Sequence, residues 1–297
     1  MGHPGGCVVT QIVRFRSGGG EVHVGVAQAA RISALGPTYP TLGSLLRLPT
    51  SELRSAVEQA RPSHNESGST MLLAPIDGQT EVWAAGVTYR RSEEARLEES
   101  GTPDIYTRVY AAERPELFFK ANPRRVTGPD QPIAVRADSS WDVPEPELAL
   151  VVNAHAEIVG YTIANDVSSR SIEGENPLYL PQAKVYAGCC SIGPGITPAW
   201  EVADAYALGI RLRILRAGQL HWRGESSTRE LKRPYEELVS YLFREDEFPE
   251  GVILSTGTAL VPESPFTLEA GDVVEIEIDQ LGTLRNPVVR GRLGLAP

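Results

Sequence analysis

Three carboxylates stand at the two ends of one apolar stretch, EPELALVVNAHAEIVGYTIAND, which runs from residue 145 to residue 166. Glu145 and Glu147 are two residues apart, and on a β-strand that spacing places both side chains on one face. Asp166 ends the second strand of a predicted hairpin whose turn is NAHAE. If the two strands pair, their ends at residues 145 and 166 lie close together, and we expect the three carboxylates to converge.

Converging carboxylates repel one another and raise each other's pKa, and a divalent cation removes that repulsion. The candidate ligands are hard oxygens with no Cys or His among them, so Mg²⁺, Mn²⁺ or Ca²⁺ fits better than zinc. We therefore predict that Glu145, Glu147 and Asp166 are metal ligands. The alternative interpretation is that they are solvent-facing acids at strand ends, and the E-x-E spacing alone does not separate the two.

The segment after Asp166 is a long connection, SSRSIEGENPLYLPQAKVYAGCCSIGPGI, rich in Ser, Gly and Pro. Long connections of this kind inside a compact domain are uncommon and often functional. Lys184 is the one lysine of this segment and follows Asp166 by 18 residues. A lysine beside a cation site can transfer protons when its pKa is lowered. The alternative interpretation is a solvated surface lysine.

The elements that would position these residues are mostly β-strands. The chain has 28 Gly and 23 Pro, an excess that is typical of many turns and short strands. The candidate strands are VVTQIVRF, EVHVGVAQ, RISAL, EVWAAGVTY, ELFFKA, ELALVVN, EIVGYTIAND, ALGIRLRILR, QLHWRGES, GVILSTGTALV and DVVEIEIDQL. Helices are predicted at residues 51–61, with Ser51 as the N-cap, at 90–100 and at 234–246. We therefore expect a mainly β (α+β) fold, built as a β-sandwich or rolled sheet.

A polar connection, PSHNESGST at residues 62–70, suggests a domain boundary. We place a small N-terminal domain at residues 1–70 and a larger catalytic domain at residues 71–297.

The charge and the cysteines narrow the class of protein. The formal net charge is −10, which argues against non-specific binding to nucleic acid. The three cysteines, two of them adjacent, form no disulfide framework and are typical of a reducing cytosol. No apolar run approaches the roughly 18 residues of a membrane span, and the N-terminal sequence has no signal-peptide pattern. We expect a cytoplasmic protein with neither a nucleic-acid nor a membrane partner.

Several motifs in sequence order resemble the fumarylacetoacetate hydrolase superfamily. They are E-x-E-L, G-Y-T-x-x-N-D-V-S-x-R, a lysine, S-I-G-P, G-T and GDVVEIEIDQLGTLRNPV, between about residues 83 and 292. The resemblance implies a mixed β-sandwich roll with a smaller N-terminal domain, in a homodimer or homotetramer. It also implies a Mg²⁺-type ion on Glu145, Glu147 and Asp166, with Lys184 in the active site. Members of the superfamily act on 2-oxo acids and 1,3-diketones.

The sequence departs from the hydrolase pattern at one place. Hydrolases and decarboxylases of the superfamily usually carry GLNY followed closely by a histidine that activates water. Here the stretch is GVTYRRSEEAR, and Ser92 stands about where that histidine would be. The stretches RPELFFKA, PEPELALV and IEGENPLYLPQAKVY instead resemble the branch that dehydrates 2-dehydro-3-deoxy-pentonates, in the arabinonate and xylonate forms.

This resemblance implies a Mg²⁺-dependent dehydratase that converts such a 2-oxo sugar acid to 2,5-dioxopentanoate. One alternative is a hydrolase or decarboxylase of the same superfamily, acting on acylpyruvate, oxaloacetate or a fumarylacetoacetate-like diketone. A second alternative is a non-catalytic scaffold that binds an ion.

Dehydration needs groups that move protons, and Lys184 and Glu116 are the two candidates. Glu116 lies beside the apolar LFF, where desolvation can raise the pKa of a carboxyl, although it could equally be an exposed acid at a strand end. The candidate substrate-binding residues are Lys120, Thr258 and Ser92. Their alternative interpretations are a charge capping an apolar strand, a bulge at G-T and a solvated helix face.

Overall fold

The computed structural model describes residues 9–29, 31–60, 70–90 and 103–295, which form eighteen strands and six α-helices. The strands are β1 (Thr10–Arg16), β2 (Val22–Gln28), β3 (Arg31–Ala34), β4 (Met71–Leu73), β5 (Glu81–Gly86), β6 (Glu116–Ala121), β7 (Val126–Thr127), β8 (Ile133–Val135), β9 (Asp142–Val143), β10 (Pro146–Val152), β11 (Ile158–Asp166), β12 (Ser168–Ser169), β13 (Cys190–Pro198), β14 (Gly209–Arg216), β15 (Gln219–Ser227), β16 (Val252–Ser255), β17 (Val273–Ile278) and β18 (Gly282–Arg290). The helices are α1 (Leu42–Leu46), α2 (Thr50–Gln59), α3 (Pro103–Ala111), α4 (Arg170–Glu175), α5 (Leu180–Lys184) and α6 (Tyr235–Leu242).

Two large sheets carry most of the strands. One has eleven strands, in the order β3-β2-β1-β13-β11-β10-β16-β5-β6, with β4 paired to β1 and β7 paired to β13. The other has five strands, in the order β15-β14-β17-β18-β8, and β12 pairs with β9 in a small two-stranded sheet. Most neighbours are antiparallel, whereas β16–β5, β13–β7 and β18–β8 are parallel. This mixed arrangement is the β-sandwich roll that the sequence predicted.

Strand β10 lies in the middle of the larger sheet, and all seven of its residues are buried. Leu148, Leu150 and Val152 join the hydrophobic core that also contains residues of β14, β17, β18 and α6. Ala149 and Val151 face the other way, into a second core that also contains residues of β1, β2, α1 and α2. Because side chains alternate along a strand, both faces of β10 are packed, which holds its first residues firmly in place.

The first sixty residues extend the larger sheet. Strand β1 pairs with β13 through Ile12 and Ile196, and residues of α1 and α2 share a core with Val82 and Ile253. The connection at residues 62–70, where we placed the domain boundary, lies almost entirely outside the described residues. The division into two domains therefore stays a prediction.

The predicted Ser51 cap is wrong, because the helix begins one residue earlier, at Thr50, after Pro49. The backbone N–H and the hydroxyl of Thr50 both donate to Oε2 of Glu157, at 2.8 Å. A distant carboxylate therefore fills the role that a local cap would have.

Two further predictions differ from the structure, and one lies outside it. The predicted strand at 251–261 ends at Ser255, because Gly257 has a φ of +89° that a strand does not accommodate. The connection after Asp166 contains α4 and α5, so Lys184 lies on a short helix. The helix predicted at residues 90–100 falls almost wholly on residues that the structure does not describe.

Within the described ranges, no helix is both long enough and apolar enough to cross a membrane.

Candidate metal centre and active site

The pairing of β10 with β11 brings the three carboxylates together. The register places Glu147 opposite Ala164, and the N–H of Asp166 donates to the carbonyl of Glu145 at 3.0 Å. One oxygen from each of Glu145, Glu147 and Asp166 can be chosen so that all three lie within 4.8 Å of one another. The three residues are only 3%, 2% and 2% exposed. The predicted convergence is therefore present, and the interpretation as solvent-facing acids is wrong.

Two of the cations that contact these carboxylates lie on α4 and α5. The Nζ atom of Lys184, at the end of α5, donates to Oε2 of Glu145 at 2.7 Å, to Oδ2 of Asp166 at 3.1 Å and to Oγ of Ser168 at 2.5 Å. The guanidinium of Arg170, at the start of α4, donates to the other oxygen of Glu145 at 2.8 Å. Both cations are buried, so they offset the negative charge where water does not screen it.

Glu147 is held from the opposite side by β16 and the turn that follows it. Its Oε2 atom accepts from the Ser255 hydroxyl at 2.5 Å and from the Gly257 N–H at 2.7 Å. A side chain at position 257 would collide with the hydroxyl of Thr88, and the φ of +89° also favours glycine. Burial, together with the charges of Asp166 and Glu145, raises the pKa of Glu147 to about 8. Burial is the largest cause, because removal from water disfavours the charged form of a carboxyl group.

Lys120 lies at the end of β6 and is fully buried behind the carboxylates. It forms an ion pair with Oδ1 of Asp166 at 2.5 Å and donates to the carbonyls of Val167 at 3.0 Å and Lys184 at 2.6 Å. Burial by itself would lower the pKa of Lys120, but the Asp166 carboxylate raises it, and the net pKa lies above the ordinary value. Lys120 does not line the cavity in front of the carboxylates.

A small, narrow cavity opens in front of the carboxylates. Besides the three acids and Lys184, its lining includes Glu116, Phe118, Arg170, Glu173, Leu180 and Thr258. Glu116 begins β6 and pairs across the sheet with Gly86, where a side chain would collide with its carboxyl group. The Thr258 hydroxyl accepts from the N–H of Leu260 at 3.1 Å, which fixes its direction beside Gly257.

The structure therefore brings Glu116, Lys184 and Thr258 to one cavity with the three carboxylates and places Lys120 behind them. Ser92 lies outside the described residues. Arg170 and Glu173 line the cavity although sequence reasoning did not select them. Arg170 could have been selected from the sequence, because it is the last residue of the motif N-D-V-S-x-R and follows Asp166 by four residues. No histidine occurs among the described residues that line the cavity.

The donor set fits a divalent ion such as Mg²⁺. Oxygens that share one Mg²⁺ lie about 3–4 Å apart because each Mg–O distance is about 2.1 Å, and the spacing of these three carboxylates needs little adjustment to reach that range. Burial and the charges of Asp166 and Glu145 raise the pKa of Glu147, and a divalent ion bound beside it would favour the ionised form. Carboxylate oxygens are also the ligands that Mg²⁺ prefers.

The fold and this cavity define a β-sandwich roll with an acidic, buried site that is suited to metal-assisted chemistry. The family model described as "Fumarylacetoacetate (FAA) hydrolase C-terminal" matches residues 81–289. The chain belongs to the fumarylacetoacetate hydrolase family, as its motifs predicted.

Two curated proteins are similar to most of the chain. A protein of Haloferax volcanii named "Probable 2-keto-3-deoxyxylonate dehydratase" is 55% identical over 214 residues, which cover 72% of this chain and 73% of that protein. The "2-dehydro-3-deoxy-D-arabinonate dehydratase" of Saccharolobus solfataricus is 47% identical over 222 residues, which cover 73% of this chain and 74% of that protein.

One similar solved structure is described as "2-keto-3-deoxy-D-arabinonate dehydratase complexed with magnesium and 2,5-dioxopentanoate". It matches with a TM-score of 0.80 and 37% sequence identity, over 95% of this chain and 99% of that chain. The overall fold of the present chain is therefore shared with a magnesium-containing dehydratase.

Proposed function

We propose that the protein is a Mg²⁺-dependent dehydratase that converts a 2-dehydro-3-deoxy-pentonate, in the arabinonate or xylonate form, to 2,5-dioxopentanoate. The observation that carries the proposal is the position of Lys184, whose Nζ lies between Glu145 and Asp166 at the wall of the cavity. The similar dehydratases, one of them with magnesium and 2,5-dioxopentanoate, support the choice of reaction.

Glu145, Glu147 and Asp166 would hold the ion. A divalent ion bound there would be chelated by the carboxylate and 2-oxo oxygens of the substrate, which polarises the ketone and acidifies the hydrogens on C3.

The reaction then needs only proton transfers, because the loss of water changes no overall oxidation state. A base removes a proton from C3, and an acid protonates the C4 hydroxyl, which leaves as water when the C3–C4 double bond forms. Loss of a C5 proton and gain of a proton at C3 moves the double bond to C4–C5. The resulting enol takes up a proton at C4 and releases the proton of its C5 hydroxyl, which gives the aldehyde at C5.

Lys184 and Glu116 are the groups of this chain that would move these protons. Both line the cavity, at different walls: Lys184 ends α5, whereas Glu116 begins β6. Thr258 offers a fixed hydroxyl at the cavity wall, where it would contact a substrate oxygen. Leu180 and Phe118 supply apolar walls, which keep water away from the reacting carbons.

The second candidate function is a hydrolase or decarboxylase of the same family. That reading needs a group that activates water, and the described cavity lining has no histidine to do so. The third candidate is an ion-binding scaffold. The joint presence of Lys184 and Glu116 in the cavity favours catalysis over that scaffold.

The finer properties belong to the same proposal. We infer use of Mg²⁺, with Mn²⁺ or Ca²⁺ as possible replacements, a homodimer or homotetramer, and a cytoplasmic location. Activity with each ion tests the choice of metal, and a size measurement by light scattering tests the oligomeric state.

The experiment that tests the reaction uses both enantiomers (at C4) of the 2-dehydro-3-deoxy-pentonate with Mg²⁺. Formation of 2,5-dioxopentanoate is followed by coupling to an aldehyde dehydrogenase that reduces NAD(P)⁺. Acylpyruvate and oxaloacetate are tested in parallel, because turnover of these alone would favour the hydrolase or decarboxylase. Binding of Mg²⁺ without turnover of any of these acids would indicate the scaffold.

A further inference from the structure

Two of the three lysines of this chain lie within the proposed site, and they are held differently. Lys120 and Lys184 are buried, whereas Lys232 is exposed. Lys184 contacts Glu145 and Asp166 from the side of the cavity, and it also donates to the hydroxyl of Ser168. These carboxylates are the groups that an ion would share.

The contacts of Lys120 are of another kind. Its two hydrogen-bond acceptors are backbone carbonyls, those of Val167 and Lys184, which have no part in binding an ion. Its third partner is Oδ1 of Asp166, while Oδ2 of the same carboxylate faces Lys184. Two N–H donors of the ammonium group are therefore used by the carbonyls, and the Asp166 carboxylate balances its charge as an ion pair.

Lys120 consequently joins three segments of the chain at one buried point. It extends from the end of β6, contacts the end of β11 at Asp166 and Val167, and contacts the last residue of α5 at Lys184. The first two of these segments belong to the larger sheet, but α5 is a helix of only five residues. The carbonyl contact at 2.6 Å anchors the end of α5, from which the Lys184 side chain extends.

We propose that Lys120 is a positioning residue, which orients Asp166 toward the ion and sets the place of Lys184, and that it does not contact the substrate. This inference rests on the proposed metal centre. Lys120 would keep all three contacts when the ion is bound, because an ion on the cavity side requires only the other oxygen of Asp166.

The first test compares Lys120→Met with Lys232→Met. Methionine has about the length of lysine without the charge, and Lys232 supplies a matched substitution at an exposed site. We expect kcat of Lys120→Met to fall by about 100-fold with KM within about threefold, because misplacement of Lys184 impairs the chemistry and not substrate binding. Lys232→Met should keep both constants. A rise in KM at unchanged kcat would show that Lys120 binds the substrate and would overturn the proposal.

The second test measures Mg²⁺ binding by calorimetry and does not need turnover. Loss of a residue that orients a ligand carboxylate is expected to weaken Mg²⁺ binding by about 10–100-fold. Removal of positive charge alone would instead strengthen it. We therefore expect Lys120→Met to raise the Kd of Mg²⁺ and Lys184→Met to leave it equal or lower. A lower Kd in both variants would mean that Lys120 acts only as a charge, and the positioning role would be wrong.

A third measurement uses the unsubstituted protein and decides the matter if Lys120→Met does not fold. With ¹⁵N-enriched lysine, three Nζ groups are present, and spectra of Lys184→Met and Lys232→Met assign them. The Lys120 ammonium hydrogens should exchange slowly with water, both with and without Mg²⁺, because the group is fully buried, donates to two carbonyls and is paired with Asp166. Exchange as rapid as that of Lys232, or loss of this protection when Mg²⁺ is added, would overturn the proposal.

These outcomes can be separated from failure of the proposed function. If no 2-oxo acid is turned over but calorimetry and exchange give the expected results, the reaction is wrong and the role of Lys120 stands.

Discussion

The Nζ atom of Lys184 donates a 2.7 Å hydrogen bond to Oε2 of Glu145, so a proposed proton-transfer group directly contacts a proposed metal ligand. The same Nζ reaches Oδ2 of Asp166 at 3.1 Å. A positive charge at this point holds the carboxylates together through attraction, and a bound ion would compete with it for the same oxygens. Binding of the ion and the freedom of Lys184 to accept a proton are therefore coupled.

The variant Lys184→Met tests the proposed role of Lys184 in proton transfer. We expect kcat to fall by about 10²–10⁴-fold, the usual contribution of a proton-transfer group. The assay is the coupled one, at saturating Mg²⁺ and substrate. Lys232→Met is the control, since Lys232 is exposed, contacts the ring of Tyr110 and is not among the residues that line the cavity. Retention of more than half of the activity in Lys184→Met would remove Lys184 from the mechanism.

Glu145→Gln tests the metal centre. Glu145 lies between Lys184 and Arg170, and its amide replacement removes a negative charge but keeps the shape. We expect the Kd of Mg²⁺ to rise by at least about 10-fold and activity to be lost at low Mg²⁺.

Treatment of the unsubstituted protein with a chelator should abolish activity, and Mg²⁺ should restore it. Glu225→Gln, at an exposed position on β15, is the matched control. Unchanged Mg²⁺ dependence in Glu145→Gln would mean that the ion binds elsewhere.

The part of this site that depends on local sequence was predictable. The apolar runs ELALVVN and EIVGYTIAND predicted β10 and β11 nearly to the residue. The spacing of Glu145 and Glu147 then predicted that their side chains share one face. The turn between the strands is short, so pairing placed Asp166 beside Glu145 without knowledge of the rest of the fold.

The part that depends on distant packing was not predictable in the same way. Glu116, Phe118 and Lys120 share one face of β6, and no local pattern shows that the first two face the cavity whereas Lys120 is covered by α5. The start of α2, where we predicted Ser51 as the N-cap, is capped by the carboxylate of Glu157, more than a hundred positions away in the sequence. Arg170 reaches Glu145 only because α4 begins directly after β12.

The raised pKa of Glu147 predicts a pH-dependent stability in protein stripped of divalent ions. The folded-state pKa is about 8 and the ordinary value is 4.5. The folded protein therefore binds the proton more tightly than the unfolded chain. This contribution is fully present below pH 4.5 and is lost as the pH rises through 8, and it amounts to at most about 5 kcal/mol. We expect the free energy of unfolding, measured with urea, to fall between pH 6.5 and 8.5.

Glu147→Gln is the control for that slope, because an amide does not titrate. Asp142 has a pKa of about 6, raised by burial, and it acts in the same direction at lower pH, so the comparison is made above pH 6.5. Saturating Mg²⁺ should also reduce the slope, because the bound carboxylate stays ionised. An equal slope in the unsubstituted protein and in Glu147→Gln would show that Glu147 is not the titrating group.

Gly86→Ala tests whether the exact place of the Glu116 carboxyl matters. A methyl group at position 86 would collide with that carboxyl, and the φ of Gly86 is outside the left-handed region, so the backbone accepts alanine. We expect kcat to fall by about 10–100-fold while the melting temperature changes little, since a flexible side chain can move aside. Glu116→Gln should lower kcat further, by about 10²–10⁴-fold.

The double variant Gly86→Ala/Glu116→Gln separates displacement of Glu116 from simple obstruction of the cavity. If Gly86→Ala acts only through the Glu116 carboxyl, its effect disappears once that carboxyl is an amide, because residues that act as one unit are not additive. We therefore expect the kcat of the double variant to equal that of Glu116→Gln, with Glu113→Gln, at an exposed position, as the control for charge. An equal loss from Gly86→Ala in both backgrounds would mean that the methyl group blocks the substrate and does not act through the Glu116 carboxyl.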